Sequence, residues 1–91
     1  NWISVNQKRI YQEFEKLAEG FGIQIIQGRG DFQGGYCLLE KEKVIVLNKL
    51  KPVEQRILAL SQAFADMDTS KIYIKPAIRE LIDKEKSASL F

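Results

Sequence analysis

The sequence predicts a single α+β domain over residues 1–91, in the order α-β-β-β-α-α, with helices packed on a short, mostly antiparallel sheet. Three observations point there. Apolar residues recur at helical spacing in two long segments, one around Phe14 and one around Leu60. Between these segments lie three short β-branched runs, separated by glycine-rich or lysine-rich turns. A length of 91 residues leaves room for one hydrophobic core.

The first helix is expected over Ser4 to about Gly20. Ile10, Phe14, Leu17, Ala18 and Phe21 share one face. Ser4-Val5-Asn6-Gln7 fits a capping box, and Gly20 and Gly22 each suit the left-handed turn that ends a helix. On the polar face, Lys16 is placed to pair with Glu19. Ile23 to Gln27 reads as a strand and breaks at Gly28-Arg29-Gly30-Asp31-Phe32-Gln33-Gly34-Gly35. Tyr36 to Glu40 and Val44 to Asn48 form a hairpin across Lys41-Glu42-Lys43. Val44 to Leu47 is apolar on both faces, so it should be the most buried strand.

Pro52 opens the second helix, at a position that tolerates its missing N–H. Val53, Ile57, Leu60, Phe64 and Met67 fall on one face of it. Ile72-Tyr73-Ile74 is extended ahead of Lys75-Pro76. Pro76 starts a short third helix, with Ile78, Leu81 and Ile82 inward, and Lys84 to Phe91 is expected to fray. The expected core comprises Phe14, Leu17, Ile25, Leu38, Val44, Val46, Ile57, Leu60, Phe64, Ile78 and Leu81.

Composition excludes several chemistries. Leu, Ile, Val and Phe make 29 of the 91 residues, too many for a disordered tail. No apolar run approaches the ~20 residues that span a bilayer, so no membrane association is expected. No basic start leads into an apolar stretch, so there is no signal peptide pattern. The first residue is Asn1, which leaves open what precedes it in the native chain. The chain has no histidine and one cysteine, which removes His-based triads, most zinc sites and any internal disulfide. A lone Cys37 in a domain this small points to the cytoplasm. Fourteen basic and twelve acidic residues give a net charge of +2, too weak a balance to specify nucleic acid.

Single motifs carry limited chemistry. Cys37 is a candidate reactive thiol, but no histidine is present to activate it, and a small hydrophobe in a strand is the simpler reading. Arg29-Gly30-Asp31 matches an adhesion tripeptide, yet its glycine-rich setting reads as a turn. Arg29 with free glycine amides is a weak candidate anion contact. Asp66 and Asp68, with Asp31, fit no EF-hand and read as a solvated helix end. Lys41, Lys43, Lys49 and Lys51 form the densest basic set. The two pairs should lie at opposite ends of one strand, roughly 15–20 Å apart at ~3.3 Å per residue. No aromatic is interleaved to stack a base. Trp2-Ile3, ahead of the first helix, and Leu90-Phe91, at the tail, are large apolar groups that either fold back or meet a partner.

Two resemblances follow from these residues. Gly34-Gly35-Tyr36-Cys37, Leu47-Asn48 and Ile72-Tyr73-Ile74-Lys75-Pro76-Ala77-Ile78-Arg79-Glu80 resemble the pattern of a group of small uncharacterised bacterial proteins. That resemblance spans nearly the whole chain and implies a fold, without an activity. Lys51 departs from it, standing where the group more often has a capping Ser. From Tyr36 to Met67, the hairpin followed by a helix is similar in topology to the core of zincin-type metallopeptidases of the ImmA/IrrE-like branch. Their H-E-x-x-H positions are Ser61-Gln62-Ala63-Phe64-Ala65 here, so both metal ligands and the base are missing.

The expected function is a non-enzymatic protein-interaction or accessory module, on a catalytically inactive zincin-like scaffold. No catalytic residue, metal or cofactor is expected, and the expected partner is a protein. The alternatives are a nucleic-acid-binding module using the basic hairpin and an enzyme using Cys37. The sequence specifies neither the partner nor the oligomeric state, and it leaves the sheet edge undefined.

Overall fold

The computed structural model describes the backbone of residues 2–28, 36–39, 41 and 43–89, and the side chains of 6–28, 41 and 43–87. Three helices pack with a small sheet in one compact α+β domain. Helix α1 (Trp2–Gly20) begins two residues before Ser4, so the capping box does not mark its start. No glycine or proline stands ahead of Ser4 to stop the helix running backwards. Trp2 and Ile3 therefore belong to the first turn of α1, not to a segment before it. At the other end, Gly22 takes φ +72°. Its N–H donates to the Glu19 carbonyl at 3.0 Å, and the Ile23 N–H donates to the Ala18 carbonyl at 2.8 Å. This pair of bonds is a Schellman cap, and it selects Gly22 over Gly20 as the left-handed residue. Lys16 pairs with Glu13 at 3.7 Å, where Glu19 was expected.

Strands β1 (Gln24–Gly28), β2 (Tyr36–Leu39) and β3 (Val44–Asn48) lie in the order β1-β3-β2. β3 is parallel to β1 and antiparallel to β2, so the sheet is mixed rather than mostly antiparallel. The cause is burial. Val44-Ile45-Val46-Leu47 is apolar on both faces and takes the centre. β1 is left at one edge, alongside and parallel to it. Ile45 and Leu47 are wholly buried in the core beneath the helices, and Val44 and Asn48, on the opposite face, are each only 8% exposed. The turn into β3 uses Lys43 at φ 54°, whose carbonyl accepts from the Gln24 N–H at 2.9 Å.

Asn48 shapes the exit from β3. Its side-chain oxygen accepts from the Leu50 N–H at 3.0 Å, and its carbonyl accepts from the Lys51 N–H at 3.1 Å. Helix α2 (Val53–Ala65) follows with Pro52 as its N-cap residue and no side-chain cap. The Pro52 carbonyl accepts from the N–H groups of Gln55 and Arg56, both at 3.0 Å. Ile57, Leu60 and Phe64 are buried in the expected phase. Phe64 meets Phe14 and Phe21, each with ring centroids 5.8 Å away. Helix α3 (Pro76–Ser89) packs mainly on α2. It continues through Lys84-Glu85-Lys86 to Ser89 instead of fraying at Lys84, because these are good helix formers.

Of the expected core, Phe14, Leu17, Val44, Ile57, Leu60, Phe64 and Ile78 are buried. Three others are only partly so. Ile25 sits on an edge strand, Val46 turns to the sheet face away from Ile45 and Leu47, and Leu81 yields the inward position to Ile82, four residues after Ile78. The Leu38 side chain lies outside the described residues. Among the described residues, no helix is long and apolar enough to cross a membrane.

Candidate functional site

The segment from Asp68 to Lys75 joins α2 to α3 and is braced at both ends. Asp68 accepts from the Ser70 N–H at 3.0 Å and from its hydroxyl at 2.6 Å, closing a local turn. Those two donors hold the Asp68 carboxyl below the usual carboxylate range, with Lys86 adding to the effect. Thr69, only 1% exposed, is the inner anchor. Arg79 on α3 donates to the Thr69 hydroxyl at 2.9 Å and to its carbonyl at 3.1 Å, with a longer reach of 3.4 Å to the Ile72 carbonyl. Lys86, two turns further along α3, approaches the same hydroxyl at 3.4 Å.

Beyond that anchor the side chains alternate in exposure. Ile72 and Ile74 pack on the core, whereas Tyr73 is 80% exposed. Lys75 then ties the segment to α1, its ammonium donating to Glu13 at 2.9 Å. Lys75 foremost, with Lys16 behind it, holds the Glu13 carboxyl below its ordinary value. Beside Tyr73 lies a groove of about 290 Å³, lined by Leu17, Ile72 and Ile78 and by the charged trio Glu13, Lys16 and Lys75. The arrangement presents one aromatic ring on a short, restrained segment with apolar depth next to it.

A second cluster joins β1 to α1 and α2. Gln27 donates to the Tyr11 hydroxyl at 2.7 Å and accepts from Arg56 at 2.6 Å. The Arg56 guanidinium stands 5.7 Å from the Tyr11 ring centroid. Burial, followed by the nearby Glu15, pushes the Tyr11 phenol up. The Arg56 Nε is buried without a hydrogen-bond partner, which marks the cluster as a packing junction between three elements.

The residues singled out from sequence are dispersed. Lys41 and Lys43 are exposed at one end of β3, and Lys49 and Lys51 are exposed at the other. Cys37 lies on β2 in register with Val46, its side chain outside the described residues. Arg29 with the Arg-Gly-Asp tripeptide, and Leu90 with Phe91, also lie outside them. Trp2 and Ile3 are placed by their backbone in α1, with side chains outside the described residues. On α2, Ser61 is buried with its hydroxyl donating to the Ile57 carbonyl at 2.9 Å, and Ala65 packs against the core. Asp66 caps α2 and Asp68 is engaged by Ser70. Among the described residues, no three acidic, cysteine or histidine side chains cluster to hold a metal.

Sequence reasoning passed over Tyr73, whose signal was present. A tyrosine between two β-branched residues in an extended run occupies the opposite face from both. The partners of Arg79 and Lys75, ten and 62 residues away in sequence, leave no local trace. No family model, curated protein or solved structure matches the chain.

Proposed function

We infer that this chain is a non-enzymatic protein-interaction module that meets its partner through the face centred on Tyr73. The observation that carries this reading is an 80% exposed tyrosine on a segment fixed by Arg79 on one side and Lys75 on the other. A solvated loop tip seldom holds a large aromatic in one place. Tyrosine supplies wide amphipathic contact area with few rotatable bonds, so it is enriched among residues that dominate binding energy. Restraint before binding lowers the ordering cost. The adjacent groove offers apolar depth, and the lysines at its border favour a partner with acidic residues flanking an apolar anchor.

In this reading the zincin-like likeness is one of scaffold. The α2 positions corresponding to the two metal-binding imidazoles hold Ser61, engaged with Ile57, and Ala65. The separation of Lys41 and Lys43 from Lys49 and Lys51 along β3 favours a protein partner over nucleic acid.

The test is affinity capture of tagged wild-type chain and of Tyr73→Ala from the native cells, with and without nuclease. A protein recovered by the wild type in both conditions and lost with Tyr73→Ala is the expected result. Recovery that disappears with nuclease would transfer the reading to the basic hairpin. Equal recovery by both chains would remove Tyr73 from the interface.

A further inference from the structure

The groove beside Tyr73 is small and one-sided in charge. Its volume is about 290 Å³, against about 150 Å³ for a cavity that holds one benzene. It therefore takes a single large side chain and not a folded surface. Leu17, Ile72 and Ile78 make its lining apolar. Gly20 lines it without a side chain, and a Cβ added there would meet nothing within 4 Å.

Charge sets a second requirement. Lys16 and Lys75 line the groove against one carboxylate, Glu13, which they share at 3.7 Å and 2.9 Å. Lys71 is exposed two residues before Tyr73, as Lys75 is two residues after it. Asp68, the acid that opens the segment, is engaged by Ser70. Three ammoniums therefore stand around Tyr73 and its groove with one carboxylate among them. The main chain sets a third requirement. Among the described residues, the Tyr73 N–H and carbonyl have no hydrogen-bond partner, so a second backbone can pair with them.

We propose that the occupant of this groove is a short linear peptide segment of the partner, acidic on both sides of one large apolar residue. The apolar side chain sits on Leu17 and Ile78. One flanking carboxylate meets Lys16 and Lys75, and the other meets Lys71. The inference rests on the reading of the Tyr73 face as a protein interface and names what that interface recognises. Nucleic acid matches the charge but not the depth, because base edges would lose their hydrogen bonds against an apolar lining. An apolar side chain loses nothing there, and the flanking acids offset the unbalanced lysines.

Panning a phage-displayed random peptide library on the immobilised 91-residue chain tests the proposal. The enriched peptides should share one Leu, Ile, Met or Phe with Asp or Glu on both sides. A synthetic peptide of the enriched sequence is then titrated by fluorescence polarisation. Lys16→Gln combined with Lys71→Gln should weaken it by about fivefold, as two exposed ion pairs are lost. Gly20→Gln, which fills the groove from a position with room for a side chain, should weaken it by more than about tenfold. The Tyr73 amide should exchange more slowly with the peptide bound.

Enriched peptides without acidic residues, equal binding by folded Gly20→Gln, or an unchanged Tyr73 amide would overturn the proposal. No enriched peptide, alongside a protein that affinity capture recovers with wild type and loses with Tyr73→Ala, would overturn it and leave the reading of the face intact. Neither peptide nor protein would overturn both.

Discussion

Arg79 grips Thr69 twice, donating to its hydroxyl at 2.9 Å and to its carbonyl at 3.1 Å. The fork of one guanidinium thus fixes both the side chain and the backbone of a residue ten positions earlier. Lysine can supply a charge there but not the two parallel donors. Arg79→Lys should therefore retain only part of the effect. Arg79→Ala should cost about 1.5–3 kcal/mol in urea unfolding, the range for hydrogen bonds to a charged group. It should also speed amide exchange across Thr69 to Lys75. A melting curve unchanged by Arg79→Ala would show that the brace is idle.

The aromatic centre of the core gives a second expectation. Phe64 is fully buried and stacks with Phe14 at 5.8 Å. Phe64→Ala should cost about 3–5 kcal/mol, measured as a fall in the denaturation midpoint at constant slope. A near-normal midpoint would mean that α1 and α2 do not pack on each other there.

Two nearby glycines should respond in opposite senses to alanine. A Cβ at either Gly20 or Gly22 meets nothing within 4 Å, so packing does not decide the outcome. Gly22 sits at φ +72°, where a Cβ costs about 1–2 kcal/mol, so Gly22→Ala should destabilise the protein. Gly20 ends α1 in helical conformation, and Gly20→Ala should stabilise it by about 0.4–1 kcal/mol. Paired thermal melts check the sign of each change.

The Glu13 carboxylate is 18% exposed and pairs with Lys75 at 2.9 Å. Its pKa is lowered in the folded protein, so the unfolded chain binds its proton more readily. The stability it contributes is present at neutral pH, above the unfolded value, and is lost as pH falls through the lower folded value. Carbon-detected NMR titration should place its midpoint below about 4.3, the ordinary glutamate value. Lys75→Ala should move that midpoint upwards. An ordinary midpoint in the wild type would show that the pair does not persist in solution.

The helical faces were legible because 3.6-residue periodicity is a local signal: Ile57, Leu60 and Phe64 lie inward as their spacing required. So was the left-handed end of α1, although two glycines competed for it and only the bonds to Glu19 and Ala18 decide for Gly22. The parallel pairing of β1 with β3 was not legible. Strand direction depends on the path of residues 29–35, and no side-chain pattern within Gln24–Gly28 records it. The length of α3 was misread because Lys84-Glu85-Lys86 looks solvated by composition, while its helix propensity is high and Lys86 reaches Thr69. The candidate site was the least legible part. It is assembled by Arg79 and Lys75 across long sequence separations, and tyrosine alone does not announce whether it is core or surface.

A photo-crosslinking amino acid placed at position 73 in the native cells, with the same group in place of exposed Leu58 as control, tests whether the Tyr73 face is a recognition surface. The expected result is a discrete adduct with a protein other than a second copy of this chain, formed from position 73 and absent from position 58. No adduct from position 73, or the same adducts from both positions, would contradict it.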